Sequence, residues 1–239
     1  MSGVFVTGTG TDVGKTVVAA AIARTLANEG KRVAVFKPVV TGLDEQPADG
    51  PNSRQIGVSQ AHRPRAEPDH ALLRRAAGSA QSDDEISPYR YGPAASPHLA
   101  AAQADEEIEP QRLLAAARTA AAGADTLVCE GVGGLLVPLS PAYLVRDFAV
   151  DLGLPLVVAA SPGLGTINHA LLTIEAARAA GLPVDAVVLT PWPEEPSTIE
   201  WSNRETLETL AQVRVETLPP LDLADPRSWP VLSAPRRPG

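Results

Sequence analysis

The chain has 239 residues, 44% hydrophobic and 20% charged, with a formal net charge of −8. That composition supports the core of one globular domain and excludes a disordered polymer. An acidic chain without a Lys/Arg cluster argues against nucleic acid and against a membrane surface as partners, while a polyanionic small ligand needs only a local positive pocket. Its one cysteine, Cys129, excludes an intramolecular disulfide and sits in an apolar run, so it reads as a buried small hydrophobe. None of His62, His70, His98 and His169 has metal-ligand spacing with a cysteine. The start lacks a basic n-region, and the longest apolar stretch, Leu154 to Ala160, is too short to span a bilayer, so a cytoplasmic location is expected.

Val4 to Val6 reads as a short strand, followed by a Gly/Thr-rich loop, Thr7 to Gly14. A helix is predicted from Lys15 through an Ala-rich stretch to Glu29, with Gly30 as its stop, and a buried strand over Val33 to Phe36. Strand, loop, helix, strand is a βαβ unit, which implies a parallel sheet covered by helices. Leu43 to Pro68 is rich in Pro, Gly and charge, without a period, and reads as a long surface loop. Helical spacing returns over Asp69 to Ala77. Ser87 to Pro97 reads as irregular, and Pro110 opens a helix that stops at Gly123.

The alternation then resumes. Strands are predicted at Leu127–Cys129, Leu156–Ala160, Val184–Leu189 and Val213–Leu218, and helices at Leu144–Leu152, Asn168–Ala180 and Glu200–Gln212. The tail after Asp222 reads as weakly ordered. The sum is one doubly wound, mostly parallel α/β domain over residues 1–221 with a tail over 222–239. Ligands are expected at the C-terminal ends of its strands.

The loop after the first strand is Gly8-Thr9-Gly10-Thr11-Asp12-Val13-Gly14-Lys15-Thr16. Phosphate binding calls for backbone N–H groups curled around an anion, a lysine against the outer phosphates and a hydroxyl on Mg2+; Gly14-Lys15-Thr16 at a helix start supplies all three. The usual P-loop has four residues between its glycines. Here Thr9 stands at the first glycine's place and Gly8 lies one residue further back. A magnesium-nucleotide site also needs a carboxylate. Glu130 ends an apolar strand before Gly131-Val132-Gly133-Gly134; on spacing alone a metal ligand and a solvent-facing glutamate are equally compatible. Lys37 ends the second strand before Pro38 and points into the same crevice, although a lysine closing a strand is commonly a surface residue.

Four segments in this order resemble the dethiobiotin synthetases: Thr7 to Thr16, Lys37-Pro38-Val39-Val40-Thr41-Gly42, Glu130-Gly131-Val132-Gly133-Gly134, and Gly165-Thr166-Ile167-Asn168-His169. The widened P-loop is the form that family uses. The resemblance implies ATP- and Mg2+-dependent closure of a urea ring on 7,8-diaminopelargonate with CO2, through a carbamate and a carbamic-phosphoric anhydride. It also implies a homodimer. Lys15, Lys37 and Thr11 are the implied catalytic residues, with Thr41, Lys37 and Asn168 on the substrate. Asp12 through Val17, with Asp69, would surround the nucleotide together with Glu130, Gly131, Val132 and Gly133. The base is expected near Thr190, Pro191, Pro219, Pro220 and Leu221. Thr190 stands where some relatives have an asparagine suited to adenine, which leaves other nucleoside triphosphates open. Gly163 stands where some relatives carry a lysine. The implied metal ligands are Thr16, Glu130 and an aspartate, for which Asp69 at the head of a Leu-rich helix fits better than Asp44 or Asp49.

Two other readings compete. A partition-type switch ATPase would carry a further lysine at the place of Gly10. A P-loop kinase or amidase would add an Arg-rich lid, for which Arg54, Arg63 and Arg65 are available.

Overall fold

In the computed structural model, residues 1–44 and 67–233 are described. The readings that rest on Asp49, Arg54, Arg63 and Arg65 lie outside them. In chain order the elements are β1 (Gly3–Gly8), α1 (Lys15–Asn28), β2 (Val33–Phe36), β3 (Val39–Val40), α2 (Asp69–Ala77), α3 (Asp83–Ile86), β4 (Tyr89–Arg90), α4 (Pro97–Gln103), α5 (Pro110–Ala121) and β5 (Thr126–Glu130). They continue with β6 (Pro138–Ser140), β7 (Tyr143–Leu144), α6 (Val145–Leu152), β8 (Leu156–Ala160), α7 (Thr166–Ala179), β9 (Val184–Leu189), α8 (Thr198–Ala211) and β10 (Arg214–Thr217), and a 3-10 turn at Pro226–Ser228.

Six strands form one sheet in the order β10-β9-β8-β1-β5-β2, every pair parallel. The runs Val4–Val6, Val33–Phe36, Leu127–Cys129 and Leu156–Ala160 are buried on both faces, as a parallel sheet between helices requires, and the edge strand β10 is half-buried. Alternate residues sort between the two faces. Val4 and Val6 pack with α1 and α2, while Phe5 turns to the other side and meets Phe148 of α6 edge-on, ring centroids 6.1 Å apart. The run of alanines in α1 lets that helix lie close to the sheet, with Val18, Ala19, Ala20 and Ala23 fully buried. After β5 the chain crosses to the far side of β1, so the C-terminal ends of β1, β2 and β5 border one crevice.

The structure departs from the sequence reading in four places. Ser87 to Pro97 contains β4, which pairs in parallel with β3, and α4 begins at its end. The short helix α3 is built on a Ser82/Glu85 capping box. β6 and β7 form a small antiparallel pair before α6. The segment after Asp222, read as weakly ordered, packs on α1 through residue 233. Trp229 and Leu232 are buried in the same cluster as Val18 and Ile22, the Trp229 indole donates to the Asp222 carbonyl at 2.7 Å, and the Leu232 amide donates to Thr25 Oγ1 at 3.2 Å. Two large apolar side chains outweigh the Pro and Arg content that suggested disorder.

Candidate active site

Register explains why distant residues meet. Val6 is level with Glu130 across β1 and β5, and Phe36 is level with Cys129 across β2 and β5. Lys37, the next residue, therefore falls level with Glu130. Both continue the alternation of Val35 and Val128, so both side chains emerge on the α1 face. There the first turn of α1 supplies Lys15 and Thr16, and α2 supplies Asp69 from its own first turn.

The phosphate loop is built by two glycines with no room for a side chain. A Cβ on Gly8 would lie 2.7 Å from Val13 Cγ2 and 2.8 Å from Lys15 Cγ. Gly14, the N-cap of α1, has φ +84°, and a Cβ there would stand 2.5 Å from Thr190 Cγ2. The Lys15 ammonium donates to the Gly10 carbonyl at 2.7 Å. Thr11 and Asp12 are exposed at the tip, Asp12 with φ 58°.

Behind the loop lies a charge cluster. Lys37 Nζ donates to Glu130 Oε1 at 2.5 Å and to Asp69 Oδ2 at 2.6 Å, and Thr16 Oγ1 donates to the same Glu130 oxygen at 2.9 Å. Glu130 is fully buried, Lys37 is 3% exposed, and the second glutamate oxygen, Oε2, has no partner. Burial pushes the Glu130 carboxyl above its ordinary range despite the lysine beside it. Burial also pushes the Lys37 ammonium down, but the charges of Glu130 and Asp69 outweigh it and the net shift is upward. Burial raises Asp69, and Lys37 reverses that shift to leave its carboxyl low. Lys15, buried and near the Lys37 charge, is lowered. The site therefore holds Lys37 firmly charged between two carboxylates.

Lys15, Thr16, Lys37, Asp69 and Glu130 are brought together. Asp44 is exposed and its amide donates to the Gly92 carbonyl at 2.9 Å, in the turn after β3. Gly131 is pinned by its amide on the Val6 carbonyl at 2.9 Å, and Val132 and Gly133 lead on to Gly134, which lies close to the Gly8 carbonyl. Thr190 packs on Gly14, and the Trp192 amide donates to the Leu218 carbonyl at 2.8 Å, which joins the loop holding Thr190 and Pro191 to that holding Pro219, Pro220 and Leu221. Thr11, Thr41 and Asn168 make no hydrogen bond to the charge cluster among the described residues. Gly165, with φ 92°, caps α7, which starts at Thr166, two residues before the predicted Asn168, and Asn168 lies exposed in its first turn. Thr166 was read only as part of the Gly165–His169 segment, and Asn203 went unnoticed in the sequence. Thr166, the first residue of α7, is 5% exposed and its hydroxyl has no partner. Asn203 occupies the buried stripe of α8 with Leu207 and Ala211, a polar residue on apolar spacing that sequence alone could have flagged.

A family model described as an AAA domain matches residues 2–227. The ATP-dependent dethiobiotin synthetase BioD of Bacillus cereus is 37% identical over 220 residues, covering 92% of this chain and 84% of that protein. Its counterpart in Rhodococcus erythropolis is 36% identical over 222 residues, 92% and 88% of the two chains, and that of Bacillus subtilis 30% identical over 215, 90% and 85%. The chain belongs to the dethiobiotin synthetase family. Among solved structures, the signal recognition particle receptor FtsY of Elizabethkingia anophelis in complex with GDP aligns with 94% of this chain and 58% of its own, at 15% identity and a TM-score of 0.49. No helix among the described residues is long and apolar enough to cross a membrane. No group of three or more His, Cys, Asp or Glu side chains among them is arranged to hold a metal ion.

Proposed function

We propose that this chain closes the urea ring of dethiobiotin from 7,8-diaminopelargonate, CO2 and ATP, releasing ADP and phosphate. The observation that carries the reading is the pairing of a P-loop lysine, Lys15, with a second buried lysine, Lys37, in one charge cluster behind the loop. One amine of the substrate takes up CO2 as a carbamate. A carbamate oxygen attacks the γ-phosphorus, and the bond to the ADP oxygen breaks. The second amine then attacks the carbamoyl carbon, and phosphate leaves with the oxygen that had attacked. A carbamate is a poor electrophile and the mixed anhydride a good one, so the protein's work is positioning and charge stabilisation. Lys15 and the loop amides neutralise the transferring phosphoryl oxygens. Lys37 stands between the carbamate and the γ-phosphate, two anions that repel. Thr11 and Thr41 hydrogen-bond phosphate and substrate from the loop and from the end of β3.

Thr16, Asp69 and Glu130 would hold Mg2+. The fit rests on the orphaned, buried Glu130 Oε2 and on an all-oxygen donor set with two carboxylates; Mg2+ ordinarily takes one or two carboxylates and completes its shell with phosphate and water. When bound, it supplies charge neutralisation on the β- and γ-phosphates. The base would lie between the Thr190–Pro191 and Pro219–Leu221 loops. The N-terminus of α7 would receive the substrate's carboxylate, as a helix dipole favours, near Asn168. A second copy of the chain would cover Leu164, 95% exposed just before that terminus, and make a homodimer. Cytoplasmic ATP and bicarbonate would supply the reaction.

Diamine dependence of phosphate release tests the reading. The purified protein with Mg2+ and ATP should release phosphate only when both bicarbonate and the diamine are present. A switch ATPase would ignore the diamine, and a kinase would leave a stable phosphoester. Gly10 in place of a further lysine counts against the switch.

A further inference from the structure

We infer that Asn203 is a positioning residue that sets the preference for a diamine carrying a carboxylate, by holding the loop that leads into α7. The inference rests on the proposed place of that carboxylate at the α7 terminus. The loop leaves β8 at Ala160 and reaches α7 in five residues. The Asn203 side-chain amide, from α8, donates to two successive acceptors in it, the Pro162 carbonyl at 2.9 Å and the Gly163 carbonyl at 3.0 Å. The Gly163 carbonyl also accepts the Thr166 amide at 3.3 Å. The Pro162 oxygen is thereby directed at α8, and the Gly163 oxygen is shared between Asn203 and the first amide of α7.

The consequence is electrostatic. The first-turn amides of a helix have no acceptor inside the helix, and they favour an anion in front of them. A carbonyl oxygen turned toward the same space would oppose that anion. Asn203 holds the Pro162 oxygen away from that space and fixes the Gly163 oxygen on the Thr166 amide, and does so from a buried position, 7% exposed, where its amide is costly to leave unpaired. The short loop then enters the left-handed N-cap at Gly165 in one conformation. An independent observation marks the same terminus as a binding place: Thr166 is 95% enclosed and its hydroxyl has no partner. A carboxylate reaching the first turn would give that hydroxyl an acceptor. Asn203 itself has no contact with the charge cluster among the described residues, so its effect should fall on binding of one end of the substrate and leave phosphoryl transfer alone.

The test compares two diamines on the wild type and Asn203→Ala: 7,8-diaminopelargonate, and 2,3-diaminononane, which carries a methyl where the acid has its carboxylate. The wild type should show a much lower KM for the acid. The variant should raise the KM for the acid about tenfold, the worth of a weakened charge-assisted hydrogen bond. Its kcat, its KM for ATP and its KM for 2,3-diaminononane should stay unchanged. Asn203→Ser, which keeps one donor, should fall between the two, and it carries the comparison should the alanine variant fail to fold. Equal KM increases for both diamines, a rise in the KM for ATP, or an unchanged KM for the acid would overturn the inference. Failure of the wild type to close either ring would instead overturn the proposed function.

Discussion

Lys37→Met should lower the stability of the ligand-free protein and abolish ring closure while sparing nucleotide binding. Methionine keeps the volume of the lysine stem and removes the cation. Glu130, fully buried, then retains only the Thr16 hydroxyl at 2.9 Å. Breaking a buried ion pair by removing one partner costs about 3–5 kcal/mol. The Asp69 arm, whose side chain is 43% exposed, is screened by solvent and adds little. At roughly 2–4 °C per kcal/mol for a chain of this size, the variant should melt about 6–20 °C below the wild type at neutral pH. The gap should close in acid. Burial already raises the Glu130 carboxyl above its ordinary value of 4.5, and losing Lys37 raises it further. A carboxyl raised in the folded state costs stability at every pH above its folded value, and that cost fades as pH falls to the unfolded value. Lys37, raised in the wild type, is charged in the folded and the unfolded chain at neutral and acid pH, so the pH dependence of the gap comes from Glu130. Circular dichroism melts from pH 7 to pH 4 read the gap directly. Calorimetry and single-turnover product formation on the same samples, kept below the variant's melting point, separate nucleotide binding from chemistry. Coincident melts at pH 7, or a gap that persists unchanged at pH 4, would refute the ion-pair account. Equal losses of ATP binding and ring closure would make Lys37 one more phosphate ligand.

Lys15→Ala should lose at least about 100-fold in kcat, the scale of removing one preorganised donor to transition-state charge, with an unchanged melting temperature; near-normal turnover would remove the P-loop from the account. Asp69→Asn should raise the Mg2+ concentration for half-maximal turnover by about tenfold or more, and Asp44→Asn should leave it unchanged; the reverse pattern in Mg2+ titrations would reassign the second carboxylate. Trp229→Ala should cost about 3–5 kcal/mol of stability by opening a cavity over α1. A thermal melt matching the wild type would mean that the tail does not belong to the core.

The doubly wound sheet was legible because its signals are local. Val33 to Phe36 and Leu156 to Ala160 are short apolar runs that follow a glycine stop and end before a proline, and each became a buried strand. The site was half legible. Gly14-Lys15-Thr16 announces itself by spacing, whereas the meeting of Lys37 with Glu130 depends on strand register, which no local window contains. Asp69 was reached through the helix that follows it. Its bond to Lys37 needs α2 packed against α1, a tertiary fact. The Gly165–His169 segment was legible as a motif and α7 starts within it at Thr166; the predicted start at Asn168 fell two residues late because Gly165 takes the cap through a left-handed φ that polar-residue rules do not register. The tail was misread for a related reason. Its Pro and Arg content suggested disorder, and the two residues that anchor it, Trp229 and Leu232, stand on either side of Pro230 and are too few to form a periodic signal.

The path of oxygen tests the central claim most directly. The purified protein, given ATP, Mg2+, the diamine and 18O-labelled bicarbonate in a single turnover, should yield dethiobiotin labelled at the ring carbonyl and inorganic phosphate carrying one labelled oxygen, both read by mass spectrometry. That pairing follows from carbamate attack on the γ-phosphorus and departure of phosphate with the attacking oxygen. Dethiobiotin formed with unlabelled phosphate would contradict the anhydride route, and phosphate released without any dethiobiotin would contradict the proposed function itself.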